Sequence, residues 1–536
     1  MNFTNDQKEA IKDIENNSVI IACPGSGKTT VLINKMSLCC EKLKKHNGVV
    51  GLSFTKKSSG ELRKKFQRKT ISSNLNYLGT IDSFFINEII RPFLPKLWDC
   101  DHDDIEIINI LSEEESIPFV QEYTNREIYL KDIEEDFAFK GLFLNGKVWQ
   151  KTVTSLALFV IRNSEMCRRY ISSRYKYLFV DEYQDTSLVQ HLVFLELLEL
   201  GLKFTAVGDI DQSIYRWRDA VPENMKSLVS KHGFKEYTID INHRCDPSID
   251  LYARVFLKDI NESEIIDKNI FRLHINNLER NRYAKLDDFI QKIKDDNKFE
   301  FSDFVILAAN NATVRHYAKN TSHNYKIYED DPLDGMNHYI AQLCSDLLLY
   351  KYSKNYSSYS IYESYKTRFI NFELNNFKSE VKKIKFKNNT DEICEIIENI
   401  ILKTSYRGSY ENFILAIKNI LNDPHLLKKY QPNNKNELQI MTIHKAKGLE
   451  FKVVIHIGLE EWVLPRRTVN NGQWSFQDFE GDKNLHYVAI TRAEKICYLV
   501  DMSVRVNANF REIDANKSEF LCNRNLDKYI VDLGSL

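Results

Sequence analysis

Cysteine is present in this sequence without organisation: of ten residues only Cys39 and Cys40 are adjacent, and no Cys-x-x-Cys pair occurs. Ligand spacing for a zinc or iron–sulfur site is missing, and the thiols read as reduced. No apolar run is long enough to cross a bilayer. Residues Met1 to Asp6 lack both the basic start and the apolar stretch of a signal peptide, so a cytoplasmic location is expected. Neither sign of charge is in excess, since 74 Lys and Arg stand against 75 Asp and Glu. Any nucleic-acid binding must therefore come from a local basic channel and not from global attraction. There is no internal repeat of fixed short period.

What is present is a chain of 536 residues, 43% hydrophobic and 28% charged, too long for one ordinary core and suited to a soluble multi-domain enzyme. The β-branched run Ser18 to Ile21, a glycine-rich turn, a helix from about Thr29 and a second run from Val49 to Phe54 alternate as strands and helices do in a parallel sheet. Buried strands are predicted at Tyr177 to Val180 and Phe204 to Val207, both running into acids at their carboxyl ends, where open parallel sheets bind ligands. A second α/β unit is expected from about His243, with strands at Phe304 to Leu307, Leu438 to Met441 and Val453 to His456. Each unit is interrupted once by a mainly helical segment. The expected division is 1–85 with 176–242 for the first unit and 86–175 for its insertion. The second unit comprises 243–320 with 431–536, and its short insertion is 321–430.

The segment Ala22-Cys23-Pro24-Gly25-Ser26-Gly27-Lys28-Thr29 follows a strand and opens a helix, the context a phosphate-binding loop requires. Its glycines let backbone N–H groups close around phosphate oxygens. Lys28 would reach the β/γ phosphates and Thr29 would offer its hydroxyl to Mg²⁺. Ala22 stands where the usual pattern has its first glycine, and read alone the segment is also compatible with a chance glycine turn. In Asp181-Glu182-Tyr183-Gln184-Asp185, Asp181 would hold Mg²⁺ and Glu182 would take a proton from the attacking water. Alone, this strand-then-acid pattern could equally be a solvated helix start; coupled to the loop it reads as the second half of an ATP site.

Val207 to Arg218 resembles the third motif of UvrD/Rep helicases of superfamily 1, and Met441 to Phe451 their fifth. Tyr487 to Ala493 is similar to the sixth and Asn242-His243-Arg244 to the fourth. Leu52 to Lys57 and Gly79 to Phe84 resemble the early DNA-contact motifs, and all stand in family order from Gln7 to Arg492. The resemblance implies two RecA-like motor domains that hydrolyse ATP with Mg²⁺ and move along single-stranded DNA, 3′ to 5′. It assigns Gln7 to the adenine, Gln212 to the γ-phosphate, Arg244 and Arg492 to arginine fingers from the second motor, and Glu450 to the ribose. For DNA it implies stacking by Trp217 and Phe54 with Tyr215 shaping the platform. Arg218 and His444 would reach phosphates or neighbouring bases, with Thr55 beside them.

Two departures touch the base: His243 stands where relatives commonly carry Tyr, and Thr30 where they carry Arg. Looser base selectivity is expected. Both insertions are shorter than in full-length relatives, which puts duplex engagement in doubt. The lysines from Lys378 to Lys387 read as a solvated helix face, and Tyr350, Tyr352, Tyr356, Tyr359, Tyr362 and Tyr365 as packing. The small size and the run Glu88 to Phe93 also resemble the helicase-like subunits of Gabija anti-phage systems. This narrower resemblance implies a partner nuclease with an ABC-type ATPase and a Toprim domain, in a hetero-oligomer. A stand-alone repair helicase is the alternative reading, and a non-catalytic DNA-binding scaffold a third.

Overall fold

The computed structural model describes the chain except residues 1–2, 70–74, 101–104, 109–122, 124–125, 217–218, 259, 261, 264–265, 277–281, 337, 354–355, 407, 471 and 507–510. Two parallel sheets organise it, as expected for two RecA-like units. The first has six strands: β1 (Ser18–Ala22), β2 (Gly48–Ser53), β3 (Tyr77–Thr80), β4 (Tyr175–Val180), β5 (Lys203–Gly208) and β6 (Lys235–Ile239), in the order β3-β2-β4-β5-β1-β6. The second has seven: β7 (Ile270–Ile275), β8 (Phe304–Ala308), β9 (Tyr325–Tyr328), β10 (Leu438–Thr442), β11 (Phe451–His456), β12 (Ala493–Met502) and β13 (Val531–Ser535). Their order is β9-β10-β8-β11-β12-β7-β13. Strands such as β2, β8 and β10 are buried along their whole length, because helices cover both faces of a parallel sheet.

The carboxyl ends of these strands carry the candidate chemistry. β1 runs into the glycine-rich loop, β2 into Phe54, β4 into Asp181, β5 into Asp209 and β10 into His444. Arg492 precedes β12, at the end of the helix Phe479–Ile490.

The two helical insertions are built differently. Helices Arg91–Leu97, Leu130–Glu135, Phe137–Leu144, Val153–Asn163 and Glu165–Arg174 share one continuous core with the first sheet, from Val19 through Leu158 to Phe234. Helices from Tyr339–Tyr352 to Pro424–Lys428 close a separate core of their own around Leu347, Phe377, Ile397 and Ile417. Within it Tyr350 and Tyr365 are buried and Tyr352, Tyr356 and Tyr362 pack at its edge, whereas Tyr359 is exposed. Helix Leu374–Phe386 turns Phe377, Val381 and Ile384 inward and leaves Lys378, Lys382 and Lys385 in solvent.

The run Glu88 to Phe93 begins in a π-helical turn, Phe85–Ile90. Glu88 accepts hydrogen bonds from Tyr170 and from Tyr175, the first residue of β4, at 2.7 and 2.9 Å, and pairs with Arg174 at 3.3 Å. Packing accounts for this segment. The acidic patch Glu113-Glu114-Glu115 lies outside the described residues.

On the buried side of the helix that ends before Arg492, His486 faces His456 of β11 at 5.1 Å and packs against Phe256 and Phe520. Both are fully buried. Burial holds His456 down at about 4 and His486 well below the ordinary histidine range. In the unfolded chain both take up protons near pH ~6.5. Their contribution to stability is therefore complete above that pH and is lost as the pH falls toward the folded values. The urea midpoint should drop between pH 7 and pH 5, and His486→Phe, which stacks with the same rings, should make that drop shallower. An unchanged slope in the variant would show that the histidine pair does not control acid stability.

Candidate nucleotide and DNA site

The phosphate loop is held from three sides. Cys23 N–H donates to the Ile239 carbonyl at the end of β6, at 3.0 Å. Ser26 Oγ donates to the Cys23 carbonyl at 2.8 Å. His243 N–H donates to the Gly25 carbonyl at 3.2 Å. Gly25 and Gly27 have φ of +69° and +80°, so both need glycine's freedom. A Cβ on Gly25 would also collide with Asn242 and Arg244. Cys23 is partly buried, and burial pushes its thiol up to about 12, so it stays protonated.

Gln7 packs under this loop. Its Nε2 donates to the Ser26 carbonyl at 3.0 Å, and its Oε1 accepts from Thr4 N–H at 3.0 Å in a capping box. One N–H and one lone pair of the amide remain for a ligand. His243 is exposed, and Thr29 and Thr30 are half-buried at the start of helix Lys28–Lys42.

Asp181 and Glu182 follow β4, and Glu182 sits in left-handed backbone with φ +56° and ψ +42°. For a residue with a side chain this costs roughly 1–3 kcal/mol, strain that collects at functional sites. Its carboxylate is aimed by Gln184, whose Nε2 donates to Oε2 at 2.6 Å, while Lys28 Nζ lies 4.0 Å from Oε1. Gln184 Oε1 accepts from Asp209 N–H at 3.0 Å, and Asp209 accepts from Gln212 Nε2 at 2.6 Å. Gln212 Oε1 accepts from Arg492 Nη2 at 3.2 Å. A chain of hydrogen bonds thus runs from the carboxylate on β4 to an arginine of the second unit. The adjacent acids divide their charge. Burial and the neighbouring Glu182 raise Asp181, whereas Lys28, Lys447 and the Gln184 amide outweigh burial at Glu182 and keep it ionised.

Arg492 is 1% exposed. It donates to the Val488 and Leu449 carbonyls, to Thr491 Oγ1 and to Gln212, all neutral acceptors. Burial and the nearby Arg244 lower it to about 10. A buried guanidinium without a carboxylate partner favours an anion, so this corner fits a phosphate. Arg244 instead pairs with Glu450 at 2.9 Å, which links two side chains the family pattern assigns to different parts of a nucleotide. Among the described residues no group of three His, Cys, Asp or Glu could hold a metal. Asp181 with the Thr29 hydroxyl fits Mg²⁺, which takes few protein ligands and fills its remaining positions with phosphate and water.

Phe54 and Tyr215 stack with ring centres 5.2 Å apart and planes at 28°. His444, from the second unit, lies 5.7 Å from Tyr215. Thr55 caps the next helix through Ser58, whose N–H donates to Thr55 Oγ1 at 3.1 Å. Trp217 and Arg218 lie outside the described residues.

The site also includes Gln184, Asp185, Asp209 and Lys447, to which the sequence reading gave no role. Lys447 Nζ is bonded to Asp185 Oδ2 at 2.6 Å and to the Gln212 carbonyl at 2.8 Å.

Residues 3–134 and 144–233 match the family model of the UvrD/REP helicase N-terminal domain, and residues 252–503 that of the UvrD-like helicase C-terminal domain. The chain belongs to the UvrD-like helicases. As a member it is an ATP-dependent DNA helicase. Among its relatives are the Gabija protein GajB of Bacillus cereus, 27% identical with 92% of this chain and 95% of that protein covered. The ATP-dependent DNA helicase PcrA of Bacillus subtilis is 24% identical, with 93% and 82% covered. The helicase Rep of Buchnera aphidicola subsp. Schizaphis graminum is also 24% identical, with 94% of each chain covered. UvrD-like helicases use ATP, generally with Mg²⁺. No helix among the described residues is long and apolar enough to cross a membrane.

Gln184 is 0% exposed and holds both Glu182 and the Asp209 amide, so Gln184→Ala should lower ATP turnover by about tenfold or more. It should also destabilise the fold by about 1–3 kcal/mol, because a buried N–H loses its acceptor. Steady-state kinetics and urea unfolding measure the two effects. Wild-type turnover in the variant would mean that Glu182 needs no such orientation.

Proposed function

We propose that this UvrD-like helicase is a motor that translocates 3′ to 5′ on single-stranded DNA and serves an anti-phage defence complex together with a nuclease. The observation that carries the motor reading is Arg492, a buried cation bound to Gln212 of the other unit with neutral acceptors only. A γ-phosphate placed between Lys28 and Arg492 would face a cation from each unit, so nucleotide binding and approach of the two units reinforce each other.

In this reading the two sheets are the cores of motor units 1–85 with 176–242 and 243–320 with 431–536, with 86–175 and 321–430 as their insertions. Lys28 and the loop amides bind the phosphates, and Thr29 and Asp181 hold Mg²⁺, which when bound would neutralise the phosphate oxygens. Glu182 accepts the proton of the attacking water, Gln212 senses the γ-phosphate, and Arg492 stabilises the developing charge. Arg244 joins Arg492 once Glu450 turns to the ribose. Gln7 meets the base with its remaining donor and acceptor, beside Thr30 and His243. Phe54, Thr55, Tyr215, Trp217, Arg218 and His444 contact DNA, largely by stacking and phosphate contacts that every sequence offers.

The defence assignment rests on size as well as sequence. The alignment with GajB spans 504 positions at 92% coverage of this chain, whereas those with PcrA and Rep need 629 and 630 positions for nearly the same coverage. This chain therefore lacks much of the inserted material of the repair-type relatives and matches GajB in length. The partner expected is a nuclease combining an ABC-type ATPase with a Toprim domain, in a hetero-oligomer.

The test is ATP hydrolysis by the purified chain with and without single-stranded DNA. DNA should stimulate turnover, and Glu182→Gln should reduce it roughly 10²- to 10⁴-fold. Absence of DNA stimulation, alone and with the nuclease added, would refute the motor. Co-purification of a nuclease from the native host tests the defence role, and its failure would favour a stand-alone repair helicase. With His243 and Thr30 beside the base, kcat/KM for GTP and CTP should lie within about tenfold of that for ATP. A strong preference for ATP would overturn the looser selectivity.

A further inference from the structure

We propose that Lys447 is the positioning residue through which DNA on the Phe54–Tyr215 platform sets the geometry of the hydrolytic carboxylates. This inference rests on the motor reading above and adds its coupling element. Lys447 belongs to the second unit, one turn beyond β10, yet the polar partners of its ammonium all lie on the first. It bonds Asp185 Oδ2 at 2.6 Å and the Gln212 carbonyl at 2.8 Å, and lies 3.7 Å from Glu182 Oε2. The same nitrogen sits 5.1 Å from the ring centre of Tyr215. One cation thus touches the carboxylate proposed for hydrolysis, the backbone of the proposed γ-phosphate sensor and the aromatic ring that shapes the base platform.

Three further observations make this contact more than surface pairing. The Lys447 side chain is 8% exposed and that of Asp185 is 1% exposed, so the interaction is poorly screened by water. Asp185 Oδ1 has no hydrogen-bond partner, so Asp185 depends on Lys447 for most of its compensation. Tyr215 is also tied to the segment that carries Lys447, since its hydroxyl donates to the His444 carbonyl at 3.4 Å. A base that stacks on Phe54 bears on the Tyr215 ring packed against it, and through the Tyr215 hydroxyl on the backbone three residues before Lys447. A shift of even one ångström changes the pull of the ammonium on Glu182 and the hold on Gln212. Coupling in the opposite direction follows from thermodynamic reciprocity: nucleotide that draws Gln212 and Glu182 into place must alter the affinity of the platform for DNA.

The experiment compares wild type with Lys447→Met, Asp185→Asn and the double variant. Two ratios are read from each. One is turnover with single-stranded DNA over turnover without it; the other is DNA affinity with a non-hydrolysable ATP analogue over affinity without it, by fluorescence anisotropy. Lys447→Met alone should melt at a lower temperature, because it leaves a buried carboxylate unpaired. The double variant removes both charges and should recover the wild-type melting temperature. In it both ratios should fall to within about twofold of one, against the ~5- to 150-fold typical of coupled sites. A folded double variant that keeps both wild-type ratios would overturn the proposal. Failure of DNA to stimulate the wild type would instead count against the motor reading, and the affinity ratio would then decide the role of Lys447 on its own.

Discussion

Buried charge that needs a partner from elsewhere in the chain is the constraint on which this structure depends. The end of β4 delivers Asp181, Glu182 and Asp185 within five residues, all largely removed from water. Among the described residues of the first unit, Lys28 is the cation beside these acids. The second unit supplies Lys447 directly and Arg492 through Gln212. Each unit alone would therefore carry uncompensated charge at its exposed sheet edge, acidic on one side and basic on the other. Bringing the edges together pairs the two sets of charge, and the phosphates of a nucleotide would add net negative charge facing Lys28 and Arg492. These paired charges fix the register in which the two edges meet, since breaking either pair would leave a buried charge uncompensated.

How far this arrangement was readable in the sequence depended on whether the determinants were local. The phosphate loop was legible because its geometry is written in consecutive residues: a β-branched strand, glycines at the two left-handed positions and a lysine opening the helix. The strands ending at Val180 and Gly208 were legible for the same reason, since burial of their carboxyl-terminal parts leaves the mainly apolar runs Leu178 to Val180 and Phe204 to Val207. Lys447 was not. Its partner Asp185 lies 262 positions away, and the lysine gains its meaning only when two sheets meet. Gln184 was hidden differently, for it stands inside a motif whose neighbouring acids drew the chemical expectation. Its contribution is to fix where one of those acids points. Gln7 was anticipated as a base contact, whereas the structure shows it also serving as a helix cap and loop support, an economy that spacing alone does not reveal.

The insertions divide along the same line between shared and separate cores. The first is fused to the sheet that carries the phosphate loop through one continuous apolar core, so it moves with that sheet as a body. The second has its own core and meets the first unit through contacts that include Arg368 to Asn87 at 3.1 Å and Lys64 over Tyr356 at 4.7 Å.

Asn87 is the point where these two scales touch. It lies in the π-helical turn Phe85–Ile90, next to Glu88, which anchors Tyr175 at the start of β4. That strand ends at the strained Glu182, held in left-handed backbone by the Gln184 bridge to Asp209 and by the Lys447 cation. π-helical turns occur mostly as single-turn bulges inside helices, frequently at functional sites. Contacts reach this one from one side through Glu88 and β4, and from the other through Arg368 of the second insertion. The six residues of β4 thus begin at a side chain held by that turn and end one residue before the Asp181–Glu182 pair.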